Sequence, residues 1–147
     1  MRRLPLPLLP ASVRWAGVLA IGAVIFYFSL VALPPAAVDA AKPGPPELIP
    51  LDKWRHFVAY FAFAGALAYA TTDSDRSDRQ LALLVVGTTA LYGFGIELGQ
   101  SLLPDRYFGL GDAWANTIGA ILVLPWFAVR RRLEPLSVPS LLGLDDG

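Results

Sequence analysis

The sequence contains no cysteine, a single histidine and a single methionine, and only 16% of its residues are charged. Without cysteine the chain forms no disulfide, no thiolate metal site and no cysteine nucleophile. Twelve basic residues are balanced by twelve acidic residues, so there is no overall basic field of the kind that attracts nucleic acid. Nucleic acid is therefore not expected as a partner, and any chemistry falls to residue types other than cysteine.

Hydrophobic residues, in contrast, are abundant. They make up 55% of the chain, and the mean hydropathy is +0.52. Soluble domains are about 45–50% apolar and about 25% charged, so both values indicate a membrane protein. A membrane helix needs about 20 apolar residues, whereas barrel strands would show a period-2 alternation that these runs lack. The sequence therefore predicts an all-α membrane protein, a four-transmembrane-helix bundle with spans near residues 15–33, 54–72, 81–103 and 113–129.

The segments between these runs are rich in proline, glycine or charge, as loops are. They are residues 34–51, which hold six prolines, residues 73–79 and residues 104–112. Ser77 or Asp78 is expected to cap the third helix. The spans and loops form a single domain, residues 1–132, and residues 133–147 are predicted to be a disordered cytoplasmic tail.

Two patterns predict the orientation of the bundle. With both termini in the cytoplasm, eight arginines fall inside and only four basic residues fall outside, the bias expected of the positive-inside rule. Tryptophans mark the ends of the spans, as an aromatic belt requires: Trp15 and Trp126 at inner ends, Trp54 and Trp114 at outer ends. The sequence thus predicts a multi-pass plasma-membrane protein with an N-in, C-in topology.

A cleaved signal peptide is the alternative interpretation of the first span. Arg2 and Arg3 precede the apolar run, and a cleavage site near Ala40 is conceivable. The run is 19 residues long, whereas the apolar region of a signal peptide has about 7–15 residues. We therefore favour an uncleaved span.

The predicted topology collects polar side chains in one layer at the outer face. Asp52 and His56, Glu97 and Gln100, and Asp112 and Asn116 are spaced by three or four residues, so each pair shares one face of its helix. Tyr60 continues the first stripe one turn deeper, and Gly93 and Gly119 extend the other two with small residues that permit close helix packing. The candidate site residues are His56, Asp52, Glu97 and Asp112 for catalysis, and Lys53, Tyr60, Gln100, Arg106 and Asn116 for substrate binding.

Glu97 and His56 are the strongest candidates for chemistry. A carboxylate within a span costs about 2.5–3.5 kcal/mol on insertion scales, so such a group usually faces protein, water or a partner. The alternative for Glu97 is a structural ion pair with Arg106 or Lys53. His56 is a candidate base, nucleophile or metal ligand oriented by Asp52, and the alternative is a hydrogen-bonded helix cap.

Metal and phosphate binding are both compatible with this layer. A metal site made of His56, Glu97 and Asp112 is conceivable, although no tight ligand-spacing motif supports it, and the cofactor remains unknown. Lys53 and Arg106 supply positive charge suited to phosphate. Interfacial snorkelling is the alternative for Lys53 and a sufficient account of Arg55.

The stretches DKWRHFVAYFAFAGAL and GIELGQSLLPDRYFGLGDAWANTIGA resemble the VanZ-like family of small integral membrane proteins. The matching positions span residues 52–119, about half the chain, and are Asp52, Lys53, His56, Tyr60, Glu97, Gln100, Arg106, Asp112, Asn116 and Gly119. The resemblance implies a cell-envelope protein connected with resistance to the glycopeptide teicoplanin. It does not supply a reaction, since function must be argued from the site.

Two functions from different classes follow from the layer. The first is an enzyme or binding site for an amphipathic, phosphate-bearing lipid or cell-wall precursor, with phosphatase or phosphotransferase chemistry on a lipid-linked substrate as the candidate reaction. The second is a non-catalytic membrane module that binds a lipid or protein partner. A transporter ranks third, because the sequence shows no repeated half.

Overall fold

The computed structural model describes residues 4–32, 51–104, 106 and 108–137. These residues are mostly helical, with a short strand at each end. The elements are β1 (Leu4–Leu8), α1 (Ala11–Phe26) continued by a π-helical turn (Tyr27–Val31), α2 (Leu51–Ala70), α3 (Asp78–Gln100), α4 (Leu110–Ile121), α5 (Leu124–Val129), a 3-10 turn (Arg130–Arg132) and β2 (Leu133–Ser137).

Three helical segments are long and apolar enough to cross a membrane: Ala11–Val31, Asp78–Gln100 and Leu110–Arg132. Among the described helices α2 is not in this set, although it has 20 residues, because polar residues crowd its first turns. Large apolar side chains point outward, with Leu91 at 73% and Leu102 at 81% exposed. Water would penalise such a surface, whereas lipid favours it. The chain is therefore a membrane protein, as the composition predicts.

Local sequence explains where these helices begin and break. Ser77 caps α3, as predicted, in a capping box in which its hydroxyl accepts from the Gln80 backbone N–H and the Gln80 side chain accepts from the Ser77 backbone N–H. The predicted fourth span is interrupted at Leu122 and Val123, between α4 and α5. Pro125 accounts for this break, because proline has no N–H for the Ile121 carbonyl and its ring crowds that carbonyl.

Small residues let the helices approach closely. A Cβ on Gly119 of α4 would lie 2.5 Å from the Phe57 carbonyl oxygen, which shows that α4 rests directly on the backbone of α2. A Cβ on Gly93 of α3 would lie 2.8 Å from the Tyr60 ring. The Tyr92 hydroxyl donates to the Gly22 carbonyl at 2.7 Å and so joins α3 to α1. This packing holds the polar ends of α2, α3 and α4 together.

One end of the bundle is fastened by ion pairs. Arg14, 5% exposed, donates two hydrogen bonds to Asp73 at 2.9 and 2.5 Å and one to the Ala70 carbonyl at 2.9 Å. The hydrogen bond and charge of Arg14 hold the pKa of Asp73 below its ordinary value. Asp78 accepts from Arg130 at 2.6 Å and also from Arg131. The start of α1, the α2–α3 turn and the end of α5 thus meet at this end.

The two terminal strands lie at the same end. β1 pairs in parallel with β2, with Leu4 opposite Leu133 and Leu8 opposite Ser137. The Tyr69 hydroxyl donates to the Pro7 carbonyl at 2.8 Å and accepts from the Leu9 N–H at 3.1 Å. Residues 133–137 therefore form a strand where the sequence predicts the start of a disordered tail. Each of its residues pairs with one 129 positions earlier in the sequence, so the local pattern gives no sign of the strand. Residues 138–147 of that tail lie outside the described residues.

Candidate functional site

The candidate site lies at the other end of the bundle, where α2 begins, α3 ends and α4 begins. His56 comes from α2, Glu97 from the last turn of α3, and Asp112 and Asn116 from the first half of α4. They are up to sixty residues apart in sequence, and the antiparallel course of the helices brings them together. The structure brings these four predicted site residues together.

His56 occupies the centre of this cluster. Its Nδ1 lies 3.0 Å from Asn116 Oδ1 and 3.8 Å from Glu97 Oε1, and its Nε2 lies 3.6 Å from Asp112 Oδ1. An amide oxygen only accepts, so Nδ1 carries the proton and donates it to Asn116. In the neutral imidazole this leaves Nε2 as the nitrogen with the lone pair. His56 is therefore held in a tautomer suited to a base or a ligand at Nε2.

Glu97 is completely buried at 0% exposure. Its Oε1 accepts from the Asn116 side-chain amide at 3.4 Å, and its Oε2 accepts from the Gly109 backbone N–H at 3.2 Å. Within the described part of the chain its ion-pair partner is His56, not Arg106. Carboxylate, amide and imidazole thus form a continuous chain, Glu97–Asn116–His56. The alternative interpretation, a structural ion pair of Glu97 with Arg106, is not formed, because Arg106 donates to backbone carbonyls instead.

Lys53 and Asp112 form the outer edge of the cluster. Lys53 Nζ donates to Asp112 Oδ1 at 2.6 Å, and both side chains are partly exposed. Asp112 lies in the first turn of α4, where the helix dipole favours negative charge. The ammonium and carboxylate charges of this pair cancel each other.

Arg106 and Gln100 are attached to the first helix instead of to the carboxylates. Arg106 donates from Nη1 to the Ser29 carbonyl at 2.6 Å and from Nη2 to the Ala32 carbonyl at 2.7 Å. Gln100 donates to the Ser29 carbonyl at 3.1 Å. The last carbonyls of a helix lack partners within it, and a cation at that end complements the helix dipole. Arg106 therefore caps the π-helical turn.

A cavity of about 580 Å³ opens between α1, α2 and the α3–α4 connection. Its polar lining comprises Ser29, Arg55, His56, Tyr60, Gln100 and Arg106, and its apolar lining includes Val24, Ile25 and Phe28. Tyr60 is 1% exposed, and its hydroxyl has no hydrogen-bond partner among the described residues. A buried hydroxyl without a partner costs roughly 1–3 kcal/mol, which a bound polar group would offset.

A second, smaller groove of about 310 Å³ lies on the other side of the cluster, between α2 and α4. Lys53 stands at its polar end, and Trp54, Phe57, Trp114 and Ile118 form apolar walls. The cluster is thus flanked by one cavity with cationic lining and one apolar groove.

The structure brings together most of the predicted site residues. His56, Glu97, Asp112, Asn116 and Lys53 form the cluster, while Tyr60, Gln100 and Arg106 line the adjoining cavity. The Asp52 side chain, predicted to orient His56, lies outside the described residues, and in the described part Asn116 and Asp112 take up the two imidazole nitrogens.

Three features were not predicted from the sequence. Arg55 lines the cavity, although its position suggested simple interfacial snorkelling. The Gly109 N–H donates to Glu97, and the Ser29 carbonyl accepts from Arg106. Both are backbone groups, whose contacts sequence patterns do not reveal. For Arg55, the signal in the sequence was its position directly before His56.

These features define a helical membrane protein with a partly buried His–carboxylate cluster at one end of its bundle. The chain belongs to the VanZ/LLP1 family, whose family model matches residues 15–130. This confirms the resemblance that the sequence motifs suggest and extends it to the first helix and α5. No curated protein and no solved structure matches the chain.

Proposed function

We propose that this protein binds the phosphate-bearing headgroup of an amphipathic envelope molecule in the cavity beside His56. The observation that carries the proposal is the lining of that cavity. Two guanidinium groups, an imidazole and a tyrosine hydroxyl that has no partner among the described residues surround a space that also has apolar walls. Arginine suits phosphate because its planar fork donates paired hydrogen bonds.

The molecule's apolar part would lie against the lipid-facing walls. Val24, Ile25 and Phe28 of α1 border the cavity, and the groove between Trp54 and Trp114 adjoins Lys53 on the other side. A headgroup site next to apolar walls fits a lipid or a lipid-linked cell-wall precursor better than a small soluble anion. Membership of the VanZ/LLP1 family supports a connection with glycopeptide resistance, which acts on the same envelope.

In an enzymatic form of this function His56 would act through Nε2 as base or nucleophile. Asn116 and Glu97 would hold the imidazole and stabilise the imidazolium, as a carboxylate does in a hydrolytic triad. Asp112 would be an acid–base group, and Lys53 would neutralise phosphate charge. Phosphoryl transfer depends mainly on such positioning and charge stabilisation.

A non-catalytic module is the second candidate, and the Arg106 contacts favour it. The guanidinium already donates to two backbone carbonyls, so its role as a cap accounts for its position without turnover. The two candidates share the binding site and differ in whether phosphate is released from a lipid-linked substrate. Incubation of purified protein with a phosphate-bearing lipid precursor, followed by phosphate release, separates them.

Binding is tested with lipids that differ only in phosphate. Native mass spectrometry of the purified protein with phosphatidic acid, with diacylglycerol of the same chains, and with inorganic phosphate should show retention of phosphatidic acid above diacylglycerol. His56→Gln and Arg55→Gln should lose that preference, and Asp75→Asn, an exposed carboxyl in the α2–α3 turn, should keep it. Equal retention of both lipids by the wild-type protein contradicts the proposal, and retention of inorganic phosphate alone contradicts the lipid assignment.

We further propose that the bundle has four spans with both termini in the cytoplasm. The two ends of the bundle support this, because Arg14, Arg76, Arg130 and Arg131 gather at one end and the candidate site at the other. Reporter fusions truncated after Asp75 should report the cytoplasm, and those after Pro45 the outside. The opposite pattern would move the candidate site to the inner face.

A further inference from the structure

We propose that His56, Glu97 and Asp112 bind a single divalent transition-metal ion, Zn²⁺ or Mn²⁺, at the head of α4. The proposal deepens the phosphate-binding function but does not need it, because the ion would bind the protein's own side chains. Its first support is distance: one ligand atom from each residue can be chosen so that all three lie within 4.8 Å of one another.

The separations between the three residues set the movement that coordination requires. Zn–N and Zn–O bonds are about 2.0–2.2 Å, so two ligands of one tetrahedral ion lie about 3.4 Å apart. The Nε2–Oδ1 separation of 3.6 Å between His56 and Asp112 is already close to that distance. Glu97 Oε1 lies 3.8 Å from His56 Nδ1, so its side chain would have to turn toward Nε2, and the three ligand atoms, now within 4.8 Å of one another, would draw together by up to about 1.4 Å.

The orientation of the imidazole is the second support. Metal-bound histidines usually donate their other ring N–H to an oxygen that fixes the tautomer. Here Nδ1 is held by Asn116 Oδ1 at 3.0 Å, and Nε2 faces Asp112. Asn116 also donates to Glu97, so one outer residue orients two of the three proposed ligands.

Charge and burial are the third support. Glu97 is 0% exposed, and among the described residues it receives two hydrogen bonds, at 3.2 and 3.4 Å, both from neutral donors. Burying an ionised carboxylate beside a neutral imidazole is costly, and a divalent ion would offset that cost. Tyr60 lies beside this site, because its ring and Asn116 both pack against Gly93, and its buried hydroxyl has no partner in the described chain.

Lys53 is the group that competes with the ion. Its Nζ lies 2.6 Å from the Asp112 oxygen that faces His56. A bound cation would repel this ammonium and displace it from Asp112. One histidine with two carboxylates suits Zn²⁺ or Mn²⁺, since imidazole favours zinc and carboxylate favours manganese.

Metal binding is tested on the full chain, purified in detergent with a histidine-free tag and washed with chelator. Zn²⁺ titration by calorimetry, and loss of the free Mn²⁺ signal in electron paramagnetic resonance, should each report one equivalent. Loss of an outer-shell partner alone costs about 10–100-fold in affinity, so His56→Gln and Asp112→Asn should weaken binding at least that much. Asp75→Asn should bind as the wild type does.

Lys53→Met shows whether a loss of metal binding reflects a lost ligand or only a disturbed cluster, because it changes a neighbour of Asp112 that is not a proposed ligand. It removes the competing ammonium, so metal should bind as tightly as in the wild type or more tightly. Weakening equal to that of Asp112→Asn would overturn the proposal, as would absence of binding to the wild type or unchanged binding to His56→Gln. Should His56→Gln not yield folded protein, Asp112→Asn and Lys53→Met decide the question together.

The two proposals fail separately. Phosphatidic acid binding is measured with chelator present, and metal binding is measured without any phosphate-bearing lipid. Lipid preference without metal binding overturns the metal site alone, whereas metal binding without lipid preference overturns the headgroup site alone.

Discussion

Replacement of Gly119 by alanine should disrupt the contact that positions the candidate site. The added Cβ would lie 2.5 Å from the Phe57 carbonyl oxygen and 3.1 Å from the Phe61 nitrogen. Both atoms belong to the backbone of α2 and cannot turn away as a side chain could. Ordinary contact begins at 3.4 Å, so α4 would have to move away from α2 by about 0.9 Å.

The cost follows from overpacking. Inserting a methyl group into a well-packed contact costs about 1–3 kcal/mol, while replacing glycine by alanine within a helix contributes about 0.5–1 kcal/mol in the other direction. We therefore expect Gly119→Ala to lose up to about 2.5 kcal/mol of stability. The control is Gly87→Ala on α3, where a Cβ would meet nothing within 4 Å. Only the helix-propensity gain applies there, so that variant should be slightly more stable than the wild type.

The assay is thermal unfolding of both variants in the same detergent, with folded yield measured by size-exclusion chromatography. Gly119→Ala should melt below the wild type and Gly87→Ala at or above it. The displaced α4 should also carry Asn116 and Asp112 away from His56, so Gly119→Ala should lose the preference for phosphatidic acid. Equal melting temperatures for the two variants would refute the close contact between α2 and α4.

Three further predictions concern the ends of the helices. Because Arg14 lowers the pKa of Asp73 below its ordinary 3.8, the pair stabilises the fold above that value and loses its effect as the pH falls through the lower, folded-state pKa. The gap in melting temperature between wild type and Asp73→Asn should thus be constant from pH 7 to about 5 and close below about 3.8; a gap that persists in acid contradicts this. Arg106→Gln should lose about 1.5–3 kcal/mol of stability because it loses two hydrogen bonds to backbone carbonyls. Arg55→Gln, on the same cavity, should have the melting temperature of the wild type, and equal melting temperatures of the two variants would contradict the capping role of Arg106. Ser77→Ala should lower stability by about 1 kcal/mol, measured by the same unfolding assay, and an unchanged value would contradict the capping box.

Much of the helical layout can be predicted from the sequence because lipid imposes strict rules on it. Apolar runs of membrane length mark the helices, and the serine three residues before Gln80 marks the start of α3. The convergence of His56, Glu97 and Asp112 also follows from helix period and alternating direction. These features depend on local spacing, which a single sequence displays.

The remainder depends on distant partners or on the backbone. No pattern in residues Tyr27–Val31 indicates a π-helical turn. The carbonyls of Ser29 and Ala32 accept their hydrogen bonds from Arg106, which lies more than seventy positions later in the sequence. Charge alone likewise suggested that Arg106 would meet a carboxylate or a phosphate. Pro125 is a residue type that breaks helices, but the apolar run around it resembles an uninterrupted span.

The most direct test of an outer-face headgroup site uses the absence of cysteine from the chain. Ser29→Cys places one thiol in the cavity beside His56 without removing a proposed phosphate ligand, and Arg76→Cys places one at the opposite end of the bundle. A membrane-impermeant maleimide applied to intact cells should label Ser29→Cys and should reach Arg76→Cys only after permeabilisation. In purified protein, phosphatidic acid should slow the labelling of Ser29→Cys more than diacylglycerol does. Labelling of Arg76→Cys but not Ser29→Cys from outside, or equal protection by both lipids, would contradict the account.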